Sequence, residues 1–377
     1  MTILIVTMPG DLHARAVEWA IEKLGGDVKT LYPADLCAGA RWSLDPARPQ
    51  LSSSFGSIVE KINFADFETV WMRRPLTKLP QEHIADVTER ASSEDDFQTL
   101  ARSVYQMAEN GRFAVNPVDR TANAALKPYQ FAMAHEVGLN IPRTITGNNP
   151  QEIVDFYKLC KERVVFKPFK SAIWQTARGP AMVPTTQLTY EMIRNADLGA
   201  APGIFQECIE KRSEVRATIM GNTIFAWEKE FVGRDDLDVD WRFMFKGAVH
   251  KAHQLPSVIQ QACFDLMEKL GLVFGCFDFV RDQDGEYFFL EVNPQGQWLW
   301  GDSLGCDLNQ LEAMAEFLLL GRKEFSYSGE NRIRLDDYYV SVDTEKNRNE
   351  ERNHHGHLMT FSYSQVSFRV ETAMPTK

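Results

Sequence analysis

The chain has 377 residues, with 41 lysines and arginines against 52 aspartates and glutamates, a formal net charge of −11. It is too long for one compact core and too acidic for a nucleic-acid groove, yet ordinary for a globular protein in its 44% hydrophobic content. No apolar run approaches the ~20 residues of a membrane span, the start lacks a basic signal region, and the six cysteines form no CxxC pair; a cytoplasmic protein without membrane or nucleic-acid partners is expected.

The opening residues 2–7 read as a buried strand. Asp11 is a candidate N-cap for a helix through Val17, Ala20, Ile21 and Leu24, stopped by Gly25-Gly26. A second extended piece over 28–32 completes a β-α-β start, which predicts a parallel sheet with covering helices. Another strand ends in Val70-Trp71-Met72-Arg73-Arg74-Pro75, followed by a long helix to about Glu109 and a short strand over 113–115. Lys127-Pro128-Tyr129-Gln130 opens a helix that Gly138 closes. Asn149-Pro150 caps the next helix, and Val164-Val165-Phe166-Lys167 is a strand halted by Pro168. Ile204-Phe205-Gln206-Glu207-Cys208-Ile209-Glu210 reads as an apolar strand interrupted by Glu207. Two hairpins follow, one turning at Gly221-Asn222 and one at Asp282-Gln283-Asp284-Gly285. Four segments are expected: 1–115, 116–202, 203–325 and an extension over 326–377. The extension holds a charged run over 345–352, a polar His354-His355-Gly356-His357 loop and an alternating apolar stretch over 359–370, expected to pack on the body or pair with a second subunit.

The second hairpin carries the chemistry. If Asp282 faces Gly285 across a four-residue turn, Asp278 sits opposite Phe289, and Asp278, Glu291 and Asn293 share one face with the two acids as diagonal neighbours. Acids on a hairpin are commonly a solvated face. Here the strands around them (Cys276, Phe277, Phe279, Phe288, Phe289, Leu290, Val292) are apolar on both sides, so the carboxylates would be buried and in need of a cation. Two carboxylates and an amide oxygen suit Mg²⁺ that arrives with nucleotide phosphates. In the first hairpin Glu214, Arg216 and Thr218 share a face, where Arg216 could bind phosphate or carboxylate bidentately or form a simple cross-strand pair.

In their order, Lys127, Gly138-Leu139-Asn140-Ile141-Pro142-Arg143-Thr144, Lys167, Gln206-Glu207-Cys208-Ile209, Glu214-Val215-Arg216, Asp278 and Glu291-Val292-Asn293-Pro294 resemble the ATP-grasp superfamily over roughly residues 1–325. Trp71-Met72-Arg73-Arg74-Pro75, Asp240-Trp241-Arg242 and Glu291-Val292-Asn293-Pro294-Gln295-Gly296-Gln297-Trp298-Leu299-Trp300 are similar to its ribosomal-peptide maturases, the graspetide or microviridin-type synthetases. The resemblance implies an α/β ATP-grasp fold, with an N-terminal parallel-sheet pre-grasp lobe and two α+β lobes clasping ATP. It implies that Lys127 and Lys167 hold phosphates, that Glu207 with the Cys208-Ile209 backbone reads adenine, and that Glu214 reaches the ribose. It also implies Mg²⁺ on Asp278, Glu291 and Asn293, with Arg216 and Arg242 meeting the γ-phosphate and an acyl phosphate. The implied activity closes Asp or Glu side chains of a ribosomally made precursor peptide (a leader and an acidic, hydroxyl-bearing core) onto Ser/Thr or Lys, and a homodimer is expected. A glutamate-adding ligase and a non-catalytic nucleotide-binding regulator are the alternatives. One departure is the stretch over 169–180, whose only glycine is Gly179 where many relatives carry a glycine-rich phosphate loop.

Overall fold

The computed structural model describes residues 1–76, 78–169, 185–230, 249–329 and 333–341 with their side chains, and 173–176, 179–182, 231, 248 and 367–368 by backbone alone. Its first sheet is parallel throughout, in the order Asp27–Leu31, Thr2–Val6, Thr69–Met72, Phe113–Val115. Ile3, Leu4, Ile5 and Val6 are fully buried, as a central parallel strand covered on both faces requires. Asp11 caps the Leu12–Lys23 helix by accepting from the His13 and Ala14 N–H groups. The expected β-α-β start is therefore present. A three-stranded antiparallel meander, Arg41–Asp45, Gln50–Phe55 and Ile58–Asn63, was not anticipated. Its middle strand holds Ser52-Ser53-Ser54, which carries no apolar alternation to announce it.

The second sheet is antiparallel, in the order Thr186–Gln187, Val164–Lys167, Gly203–Glu207, Thr144–Gly147. Its Gly203–Glu207 strand stops at Glu207 instead of continuing through it. Asn149 caps the Pro150–Leu159 helix through the Gln151 and Glu152 N–H groups, with Pro150 in the first turn. Within the glycine-poor stretch, Ile173–Thr176 and Gly179–Met182 pair antiparallel, and Ser367–Phe368 lies parallel beside the latter. The charged run, the histidine group and all but those two residues of the apolar stretch in the extension lie outside the described residues.

The third sheet has five antiparallel strands in the order Ala248–His253, Thr223–Phe231, Lys211–Met220, Phe274–Asp282, Tyr287–Asn293. Both expected hairpins are here. Gly221 turns the first with φ +56°, where a Cβ would stand 2.4 Å from the Lys323 carbonyl, so a side chain is excluded twice over. The Ser257–Leu270 and Lys127–Glu136 helices cover one face, packing Leu266, Met267, Phe131 and Ala134 against Phe277, Phe289 and Val292. The opposite face carries Arg216 and Asp278. A separate core joins this sheet to the parallel one: Ile3, Ile5 and Trp71 pack with Phe274, Trp298, Leu311 and Phe317.

Candidate active site

The carboxylate wall depends on two departures from a regular hairpin. Asp282 N–H bonds to the Glu286 carbonyl at 3.0 Å, Glu286 N–H bonds to Asp282 Oδ1 at 2.8 Å, and Gly285 adopts φ +89°. The turn thus holds three residues inside the Asp282–Glu286 closure. Phe279 faces Phe289, and Val280 faces Phe288. The expected pairing of Asp278 with Phe289 is therefore wrong by one residue, a shift that alone would send Glu291 to the helix-covered face. A bulge restores it. The register slips between Asp278 and Phe279 so that Leu290 is the extra residue, and Asp278 pairs directly with Glu291 and Cys276 with Asn293. The acids are direct cross-strand partners, not diagonal ones, and Phe289 goes to the core.

Each acid is neutralised by a cation from another element. Arg216, which pairs with Asp278 across the neighbouring strands, donates from Nε to Asp278 Oδ1 at 2.8 Å and from Nη2 to Oδ2 at 2.9 Å. Arg216 Nη1 also donates to the Gln297 carbonyl at 3.0 Å. Burial opposes the Arg216 charge, but the Asp278 carboxylate outweighs it and raises its pKa. Lys127, the first residue of its helix, stands 2.8 Å from Glu291 Oε2. Burial would raise the Glu291 carboxyl, yet Lys127, then Lys167 and Arg216, hold it below the usual carboxylate range. Lys167 donates to Gln206 Oε1 at 2.7 Å, and Gln206 in turn donates to Thr144 Oγ1 at 2.9 Å.

The remaining candidates frame this centre. Glu214 accepts from Lys211 at 2.8 Å and lies across from Lys229, a lysine only 3% exposed whose pKa burial lowers. Glu207 sits 3.7 Å from Arg143. The Glu207 and Cys208 N–H groups donate to the Arg143 and Arg163 carbonyls at 2.8 and 2.9 Å, and Ile209 follows in the connection to Lys211. Arg242 lies outside the described residues.

Sequence reasoning missed a second polar cluster beside the first. Asp11 is 3.2 Å from Arg73 and 3.6 Å from Arg74. Burial favours the neutral acid, but Arg73 and Arg74 with the helix N–H groups bring the Asp11 pKa down. Burial lowers Arg73 to about 10 against the pull of Asp11. Arg73 donates to the Gln295 carbonyl at 2.5 Å and the Gly296 carbonyl at 3.3 Å. His13 Nε2 accepts the Trp298 N–H at 3.0 Å, so it is the neutral tautomer; burial and then Arg73 push its pKa well below normal. Asn116 donates to the Phe274 and Pro294 carbonyls at 2.8 and 3.0 Å and accepts from the Val273 and Phe274 N–H groups at 2.8 and 3.0 Å. The parallel sheet thus fixes the segment immediately after Asn293. The sequence marked Asp11 as an N-cap and the Trp71–Pro75 and Gln295–Trp300 segments as maturase-like, but gave no sign that they meet.

No protein-family model and no curated protein matches the chain. Solved structures do. The macrocyclase MdnC of Microcystis aeruginosa MRC, bound with precursor peptide MdnA, superposes with a TM-score of 0.73 at 27% identity, over 85% of this chain and 99% of its own. The chain shares the ATP-grasp fold of the RiPP macrocyclases. A RiPP-associated ATP-grasp ligase of Chryseobacterium gregarium, in complex with ADP and a leader and core peptide, matches with a TM-score of 0.71 at 20% identity, over 88% and 99% of the two chains. The ATP-grasp ligase PsnB, complexed with minimal precursor, Mg and ADP, gives 0.67 at 19% identity over 85% and 96%. In this fold the five-stranded sheet supplies Arg216, Asp278 and Glu291, the Lys127–Glu136 helix supplies Lys127, and the second sheet supplies Lys167. Among the described residues no group of three or more His, Cys, Asp or Glu is placed to hold a metal. Asp278 and Glu291 with exposed Asn293 form a two-carboxylate, one-amide set that fits a magnesium ion completed by phosphate oxygens and water. No described helix is long and apolar enough to cross a membrane.

Proposed function

We propose that the chain is an ATP-dependent ligase that activates Asp or Glu side chains of a ribosomally made precursor peptide and closes them onto Ser/Thr hydroxyls or a Lys amine of the same peptide. The observation that carries this reading is the directly opposed Asp278 and Glu291, each held by a cation, in a fold shared with a macrocyclase over most of both chains. A carboxylate oxygen is a poor leaving group. Phosphoryl transfer from ATP converts it to a mixed anhydride; attack by the hydroxyl or amine then forms the ester or amide bond and releases phosphate. Magnesium, when bound, would neutralise charge on the transferring phosphoryl group.

The chain's own part is alignment and charge placement. Asp278, Glu291 and Asn293 would hold the metal. Lys127 and Lys167 would bind phosphates, Glu207 with the Cys208-Ile209 peptides would contact adenine, and Glu214 would reach the ribose. Arg216, fixed by Asp278 and the Gln297 carbonyl, would face the acyl phosphate together with Arg242. The segment from Gln295 to Leu299, held by Arg73 and His13, offers the Gln297 carbonyl to Arg216 on the same face.

Co-expression with a short Thr/Ser- and Asp/Glu-rich peptide tests the reading by mass. Loss of one water per ring is expected. Gain of an added residue would indicate the glutamate-adding alternative, and ATP binding without peptide-stimulated ADP release would indicate a regulator.

A further inference from the structure

The strand carrying Glu291 and Asn293 is the outer strand of its sheet, so part of its backbone turns N–H and C=O groups away from the ladder. At Val292, between the two candidate ligands, one side chain satisfies both. Gln130 Oε1 accepts the Val292 N–H at 3.0 Å, and Gln130 Nε2 donates to the Val292 carbonyl at 2.8 Å. Gln130 Nε2 also donates to the Ala124 carbonyl. Gln130 is 2% exposed, and its amide replaces one residue of a missing neighbouring strand. Along the edge, the Phe289 N–H is held by the Asn140 carbonyl at 2.8 Å and the Pro294 carbonyl by Asn116 at 3.0 Å. Gln130 supplies the lateral bonds between them, just past the Leu290 bulge.

The same helix face carries Lys127 three residues earlier, gripping the Glu291 carboxylate at 2.8 Å. One helical turn therefore holds the strand twice, by a side chain and by the adjacent peptide. The two grips respond differently to loading. Lys127 cannot fully serve a phosphate, nor Glu291 a cation, while they are closed on each other. The amide–peptide contact is neutral and uninvolved, so it persists.

We infer that Gln130 is a positioning residue for the metal ligands: it keeps Glu291 and Asn293 beside Asp278 while Lys127 changes partner. This rests on the ATP-ligase reading. The test compares ADP binding by calorimetry in EDTA and across a MgCl₂ titration, for the full-length parent, Gln130→Leu and Gln130→Glu. Gln130→Leu should raise the half-saturating Mg²⁺ concentration about tenfold or more, with metal-free ADP affinity changed less than about threefold. Gln130→Glu, buried against two carbonyl oxygens, should keep its proton and a near-parent Mg²⁺ response at pH 6, and lose both towards pH 9. An unmoved Mg²⁺ response in Gln130→Leu, or equal loss of metal-free binding, would overturn the inference. If Gln130→Leu does not fold, a pH-independent parent-like Gln130→Glu overturns it instead. A parent protein that binds ADP neither with nor without Mg²⁺ would refute the ligase reading itself, and this inference with it.

Discussion

Asp278 and Glu291 face each other across the hairpin because a three-residue turn and a bulge at Leu290 each shift the register by one residue in the same sense, and a two-residue shift returns Glu291 to the face of Asp278. Neither carboxylate needs a metal to offset its charge in the free chain, since Arg216 and Lys127 already balance them.

Asp278→Asn and Glu291→Gln should each lower water loss from a precursor peptide by about 10²–10³-fold, read by mass spectrometry. Asp278→Asn also deprives partly buried Arg216 of its charged partner, at a cost of about 1–3 kcal/mol in urea unfolding. Near-parent turnover in both variants would remove the metal assignment.

Lys127→Met should change the acid limb of stability. The Glu291 pKa is lowered in the fold, so its contribution is present above its ordinary value of 4.5 and is lost as pH falls through the folded value. Without Lys127 the difference between folded and unfolded values shrinks. The urea midpoint at pH 7 should drop more than that at pH 3, and equal drops would contradict the pairing.

His13 titrates in another window. Its folded pKa lies below the ordinary 6.5, so the unfolded chain binds the extra proton and the fold loses stability as pH falls from about 6.5 towards the folded value. His13→Gln keeps an acceptor for the Trp298 N–H and cannot take up that proton. Its stability should be flatter over that range, and a slope equal to the parent's would count against the assignment.

Arg73→Met leaves Asp11 buried beside half-exposed Arg74 and removes the bonds to the Gln295 and Gly296 carbonyls. A loss of about 3–5 kcal/mol is expected, with Asp11→Asn/Arg73→Met costing less than the two single changes summed. Additive losses in chemical unfolding would show that the pair is not coupled.

Much of this was legible in the residues. Asp11 and Asn149 announced their helices because a short acceptor side chain before an apolar period has few other uses. Gly221-Asn222 placed the first hairpin, whereas the burial expected from the apolar flanks of Asp278 and Glu291 is only partial, their side chains being 23% and 31% exposed. The second hairpin's register was not legible, because Gln283-Asp284-Gly285 accommodates more than one turn length and a bulge at Leu290 has no local signature. A two-point carboxylate contact was one expected use of Arg216, but that Asp278 receives it and that Lys127 meets Glu291 was hidden: Lys127 and Arg216 are 164 and 62 residues from their acids in sequence and meet them only through the packing of a helix and a neighbouring strand. Serine-rich Gln50–Phe55 hid its meander for want of apolar contrast.

The staples from Arg73, His13 and Asn116 into the Phe274 and Gln295–Leu299 region, together with the core shared by Trp71 and Trp298, weld the parallel sheet to the five-stranded one. Those two behave as a single anvil. Any clamping on a triphosphate then falls to the sheet with Lys167, and scattering or crystallography of free and loaded protein should find that jaw rotating while the anvil superposes on itself.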